Sequence, residues 1–252
     1  MPEPMARVTG VSKRFGEFDA LRDVSFSIYE NEVLGLIGPN GSGKTTLFRC
    51  LAGLMPADGQ LAMPREPIPA TERKRHLYFV PDGVRPWPDQ TVEWVLRYTA
   101  ELHGTARSMV VGVVLGGGGN RPRTDYVDHV IAQLSLDALR NERLRGLSKG
   151  EMRRVLTGIG LLAGRPLLLL DEPFDGLDLR QTREMMEVLR GQSESRRTLF
   201  LSIHQLTDAA RVCDRFVLLS AGRVAGEGTL EELRARAQLP DGTLEDVFLA
   251  LT

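Results

Sequence analysis

The segment Gly38-Pro39-Asn40-Gly41-Ser42-Gly43-Lys44-Thr45-Thr46 constrains this chain more than any other, because it satisfies G-x-x-x-x-G-K-[ST] at every fixed position. Such a run predicts a cradle for phosphate groups. Gly38, Gly41 and Gly43 let the backbone turn tightly and aim successive N–H groups inward, at the start of a helix whose dipole also favours negative charge. Lys44 is placed to reach the β- and γ-phosphates of a nucleoside triphosphate, and Thr45 to offer its hydroxyl to Mg²⁺. The flanks agree: Val33-Leu34-Gly35-Leu36-Ile37 reads as a buried strand leading in, and Thr46-Leu47-Phe48-Arg49-Cys50-Leu51 as a helix leading out. All nine residues from Gly38 to Thr46 are therefore candidate nucleotide contacts.

Composition narrows the partners. With 32 Lys and Arg against 33 Asp and Glu, the net charge of −1 gives no basic field to draw nucleic acid, and none is expected as a partner. Cys50 and Cys213 sit in apolar helical patterns and are expected to be buried free thiols, which fits a reducing cytosol. The N-terminal Met1 to Arg7 lacks the pattern of a secretory leader. The most apolar stretch, Leu161 to Leu170, is broken by Gly164, Arg165 and Pro166, well short of the roughly 18 residues a spanning helix needs. The chain is expected not to cross a membrane.

Along the chain, strand-like alternation appears at Arg7-Val8-Thr9 and Val24 to Ile28, and residues 56–75, with four prolines, read as surface loops around short strand pieces. Leu77 to Val80 is a short strand stopped by Pro81-Asp82-Gly83. Helical spacing begins at Thr91 (Val92, Val95, Leu96, Leu102) and returns at Tyr126, Val127, Val130, Ile131 and Leu134. Between them, Gly116 to Gly119 has no place inside a helix, so residues 104–123 are expected to be a variable loop or frayed helix end. The last third alternates between strand (Leu167 to Leu170, Thr198 to Ile203, Phe216 to Leu219) and helix (Arg180 to Leu189, Leu206 to Val212), ending in an amphipathic helix from Leu244. That alternation predicts an α/β fold.

Leu167-Leu168-Leu169-Leu170-Asp171-Glu172-Pro173 places two carboxylates at the carboxyl end of a buried strand, where α/β sheets bind ligands. Asp171 fits a Mg²⁺ ligand, and Glu172 the base that polarises an attacking water. With Leu147-Ser148-Lys149-Gly150-Glu151 between the two motifs, the chain resembles the nucleotide-binding domains of ABC ATPases, whose signature reads L-S-G-G-Q. The resemblance covers nearly the whole chain and implies a P-loop NTPase core of RecA-like type with an antiparallel β subdomain and an inserted α-helical subdomain. On that pattern residues 1–90 and 150–228 form the ATP-binding core with its β subdomain, 91–149 the helical subdomain with the signature, and 229–252 C-terminal helices.

The resemblance also assigns residues. Phe15 falls where the family stacks an aromatic ring on adenine, Asp178 in Asp175-Gly176-Leu177-Asp178 at the D-loop aspartate, and His204 at the histidine that contacts the γ-phosphate. Ser148 and Gly150 keep the positions whose hydroxyl and N–H face the γ-phosphate. Two places depart from the pattern. Lys149 and Glu151 replace glycine and glutamine in the signature, with the helix expected to start near Glu151. Asp82 stands at the glutamine of the Q-loop, where it is expected to serve as a metal ligand with Thr45 and Asp171, its charge altering the metal dependence.

The implied activity is ATP hydrolysis with Mg²⁺, driving transport through closure of a head-to-tail dimer. Ser148 and Gly150 of one chain complete the site formed by Lys44, Thr45, Asp171, Glu172 and His204 of another, either a second copy or a homologous subunit. The implied partners are membrane-spanning subunits encoded separately, with the chain peripheral on the inner face of the cell membrane. The tail Leu244 to Thr252 and the Leu-Ser-Lys-Gly variant resemble bacterial ABC-2-type exporter ATPases. A soluble relative acting on ribosomes or DNA, and a feebly hydrolysing nucleotide-gated module, are the alternatives.

Overall fold

The computed structural model describes residues 3–63, 66–105, 126–195 and 197–252. Its centre is a six-stranded sheet in the order β5 (Leu77–Val80), β6 (Leu167–Asp171), β7 (Thr198–Ile203), β3 (Val33–Ile37), β8 (Arg215–Ser220) and β9 (Arg223–Gly228). The first five strands are parallel, and β9 pairs antiparallel with β8. The continuous apolar runs follow from this, since a parallel strand in mid-sheet must be buried on both faces. In β6, Leu168 and Leu170 enter one core while Leu167 and Leu169 enter the other.

A second, three-stranded antiparallel sheet, β2 (Phe18–Ile28), β1 (Ala6–Phe15) and β4 (Asp58–Ala62), covers one face. Helix α1 (Lys44–Leu51) lies in the same core, where Phe48 and Phe200 meet at 4.9 Å between ring centroids and Phe200 reaches Phe26 at 5.4 Å. The opposite face carries α2 (Val92–Leu102), α3 (Tyr126–Gln133), α4 (Lys149–Leu162), α5 (Leu179–Glu194), α6 (Leu206–Val212), α7 (Leu230–Ala237) and α8 (Leu244–Leu251). Phe200→Ala, at a side chain with no exposed surface, is expected to cost about 3–5 kcal/mol in chemical denaturation, because both rings lose their partner. A loss under about 1 kcal/mol would contradict this core.

The hairpin strands run well beyond the alternation read at Arg7 to Thr9 and Val24 to Ile28. Their pairing shifts register three times between Val8 and Arg14, and each irregularity breaks the period of two on which the reading relied. β4 is a short strand within residues 56–75, where strand pieces among loops were expected, and polar β9 is held by pairing to β8. Both cysteines are free and buried, and burial pushes their thiols up. Of the segment 104–123, only Gly104 and Thr105 fall within the described residues. Among the described residues no helix is long and apolar enough to cross a membrane.

Candidate functional site

The loop from Gly38 joins β3 to α1, whose N-cap Gly43 has φ +107°, and a Cβ there would lie 2.7 Å from the Ala20 carbonyl oxygen. Lys44, buried in the first turn, donates from Nζ to the Gly38 and Pro39 carbonyls at 2.7 and 3.1 Å. Burial lowers its pKa, while the charges of Glu172 and Asp171 act in the opposite direction. Those acids stand at the carboxyl end of β6, two strands from β3, with β7 between them. The Thr45 hydroxyl donates to Asp171 Oδ2 at 2.8 Å, and the Ser202 hydroxyl to Oδ1 at 2.5 Å. Asp171 is 2% exposed, so both its oxygens are fixed within the fold.

Glu172 has a left-handed backbone, φ +51°, unusual for a residue with a Cβ. Its N–H donates to both oxygens of Ser202, the carbonyl at 3.1 Å and the hydroxyl at 3.0 Å. His204 Nδ1 lies 3.8 Å from Glu172 Oε2, in a groove that Phe174, Asp175, Gly176 and Leu177 also line. The hydroxyl and carboxylate of Thr45 and Asp171 are the hard oxygen donors that suit Mg²⁺. Within the loop, Ser42 Oγ is buried and has no partner among the described residues, an orphan polar atom that fits a phosphate oxygen.

Other expected site residues have local partners. Ser148 caps α4, which begins at Lys149, two residues before Glu151: its Oγ accepts from Glu151 N at 3.3 Å while Glu151 Oε2 accepts from Ser148 N at 2.8 Å. The acid in place of the signature glutamine thus completes a capping box. A Cβ on Gly150 would meet the Gly176 carbonyl oxygen at 2.6 Å, so only glycine fits against this turn. Lys149 Nζ contacts Asp175 Oδ2 at 2.5 Å; the hydrogen bond raises the lysine and lowers the aspartate. Asp178 caps α5, accepting from Gln181 N at 2.8 Å. Phe15 is half exposed, with Lys13 Nζ 5.3 Å from the ring centroid.

Asp82, expected at the metal, is paired with Arg153 Nη2, and Arg153 Nη1 donates to the Asp171 carbonyl at 3.0 Å. Neither Arg153 nor Ser202 stood out in the sequence reading. Ser202 left one signal, a hydroxyl within the apolar run Leu199 to Ile203. Arg153 left none, since a cation in an amphipathic helix is ordinarily solvated.

A glycine-rich loop feeding a helix N-terminus, with a buried hydroxyl–carboxylate pair at the end of a nearby parallel strand, defines an α/β protein of the nucleoside-triphosphate-binding class. The family model described as ABC transporter matches residues 21–175, and the chain belongs to that family as an ATP-binding cassette. ATP hydrolysis coupled to transport is the activity of the family. An uncharacterized ABC transporter ATP-binding protein, MJ1023 of Methanocaldococcus jannaschii, is 28% identical over 92% of this chain and 80% of its own length. A sulfate/thiosulfate import ATP-binding protein, CysA of Synechocystis, is 30% identical over 90% of this chain. A probable multidrug ABC transporter ATP-binding protein, YbhF of Escherichia coli, is 27% identical over 99% of it. The chain spans 61% and 42% of the latter two proteins' lengths. A solved ATP-binding subunit of an ABC transporter superposes with TM-score 0.81 at 26% identity, covering 98% of this chain and 99% of the other.

Proposed function

We propose that this chain binds and hydrolyses ATP as the nucleotide-binding subunit of a membrane transporter, in a head-to-tail dimer with a copy of itself or a homologous subunit. The observation that carries this reading is the bonding of Thr45, in the phosphate loop, to Asp171, next to Glu172. It supports a reading in which the loop after β3 holds the phosphates, while the end of β6, two strands away, carries a metal-binding oxygen and the base. The residues of Gly38 to Thr46 hold the phosphates through backbone N–H groups and the Lys44 ammonium. Phe15 stacks on the adenine. Mg²⁺, held by Thr45 and Asp171, would supply positive charge beside the β- and γ-phosphates. Glu172 takes the proton from the attacking water, and His204 holds the γ-phosphate side of the site.

Ser148, Gly150 and Asp178 belong to the site completed by the second chain. The Ser148 oxygen accepts from its own helix and keeps its proton for a phosphate oxygen, at a helix N-terminus whose dipole attracts anions. Contacts that exist only with the γ-phosphate in place favour the closed dimer, and their loss on hydrolysis opens it. The division between a core of residues 1–90 and 150–228, a helical part of 91–149 and terminal helices of 229–252 is part of the same reading.

The finer assignment is an exporter of ABC-2 type, peripheral on the inner face of the membrane. The terminal helix α8 and the Leu-Ser-Lys-Gly variant support it. Purification from detergent-solubilised membranes is expected to bring down a polytopic membrane protein, and the purified chain with ATP and Mg²⁺ is expected to run as a dimer. A chain that stays monomeric with ATP and co-purifies with ribosomes or DNA would favour the soluble alternative.

A further inference from the structure

We infer that Asp82 is a positioning residue that acts on Glu172 through Arg153, rather than a ligand of the metal; this rests on the ATPase reading above. The peptide joining Asp171 to Glu172 is held from both sides. Its N–H donates to Ser202, and its carbonyl accepts from Arg153 Nη1 at 3.0 Å. Rotation of this one peptide would move both the metal-binding carboxylate and the base. Arg153 is 3% exposed, and its second nitrogen is engaged by Asp82. The guanidinium therefore bridges the ends of β5 and β6, and Asp82 supplies its counter-charge. One turn earlier on α4, Lys149 grips Asp175. The carboxylates of Asp82, Glu172 and Asp175 lie within 4.8 Å of one another, and the two cations on α4 offset charges that otherwise repel.

The Asp82 oxygen engaged by Arg153 is Oδ1, and that pairing turns the carboxylate toward the guanidinium. Turning the carboxylate away would uncouple it from a buried guanidinium whose Nε has no partner among the described residues. Only the arginine side of this pair is deeply buried, its side chain 4% exposed against 39% for Asp82, so breaking it would leave the Arg153 charge uncompensated, the unfavourable part of such a loss. A carboxylate fits this place better than the neutral amide of the family pattern, since it neutralises Arg153 while accepting its hydrogen bond.

The test compares Asp82→Asn, Arg153→Met and the double variant in the full chain, measuring ATPase kinetics and the affinity of Mn²⁺ for the ATP complex by electron paramagnetic resonance. Asp82→Asn is expected to lower kcat about 10-fold and Arg153→Met about 100-fold, since small misplacement of a reacting group has effects of this order. KM for ATP and the Mn²⁺ affinity should stay within about twofold, and the double variant should match Arg153→Met alone. Should the Met variant not fold, Arg153→Lys replaces it, because it keeps the charge but cannot bridge two acceptors; the same non-additivity is expected. A tenfold or greater loss of Mn²⁺ affinity in Asp82→Asn, an unchanged kcat, or multiplicative losses in the double variant would overturn the inference while leaving the ATPase reading intact. A wild-type chain that neither binds Mn²⁺–ATP nor turns it over would overturn the ATPase reading, and the inference with it.

Discussion

Glu172→Gln is expected to abolish multiple-turnover ATP hydrolysis, by about 10²–10⁴-fold, while ATP-dependent dimers persist. Glutamine has the same shape, and the Glu172 N–H bonds to Ser202 belong to the backbone, so the left-handed turn should survive the change. What is lost is the carboxylate oxygen to which the proposed mechanism gives the proton of water. A non-glycine residue held at φ +51° carries strain of about 1–3 kcal/mol, which a fold tolerates where a side chain must point in a particular direction. Here that direction is the groove shared with His204. Size-exclusion chromatography with ATP and a steady-state phosphate-release assay together check the result. Unchanged turnover would remove Glu172 from the role of base.

Lys44→Ala has the next largest expected effect, on binding as well as turnover. Its ammonium is buried against the loop carbonyls and close to two acids. Charge-assisted hydrogen bonds contribute about 1.5–3 kcal/mol each, so losing the cation should raise the ATP dissociation constant about 100-fold and reduce hydrolysis further. The fold should persist, because Gly38 and Pro39 lie beside an exposed loop tip where water can replace the donor. Titration with a fluorescent ATP analogue, alongside a thermal melt, separates binding from folding. Affinity equal to that of the unmodified chain would reject the phosphate loop as the nucleotide site.

Central strands were legible in the chain because burial on both faces leaves a mark that needs no partner to be read. Val33 to Ile37, Leu167 to Leu170 and Thr198 to Ile203 are such runs, and each forms a strand of the main sheet. Hairpin length was not legible, because the bulges between Val8 and Arg14 break alternation and are set by pairing with β2 and β4. Motif spacing pointed to Lys44, Thr45, Asp171 and Glu172 as candidates, whereas the bonds of Ser202 and Arg153 to Asp171 and the Glu172 N–H were silent. Ser148 and Asp178 matched a motif, but their capping of α4 and α5 also follows local chemistry, an oxygen three residues before a Glu or Gln.

Local pattern was enough to establish a strand, a glycine loop and a helix in succession from Val33 to Leu51, with a pair of acids closing a buried strand. These features depend on residues adjacent along the chain, on backbone freedom and on hydrophobic period. Contacts across long sequence separations required the folded molecule: Thr45 on Asp171, Ser202 on the same carboxylate, and Asp82 on Arg153. Hydrogen bonds and buried ion pairs depend on distance and desolvation, and both emerge when β5, β6, β7 and α4 pack together.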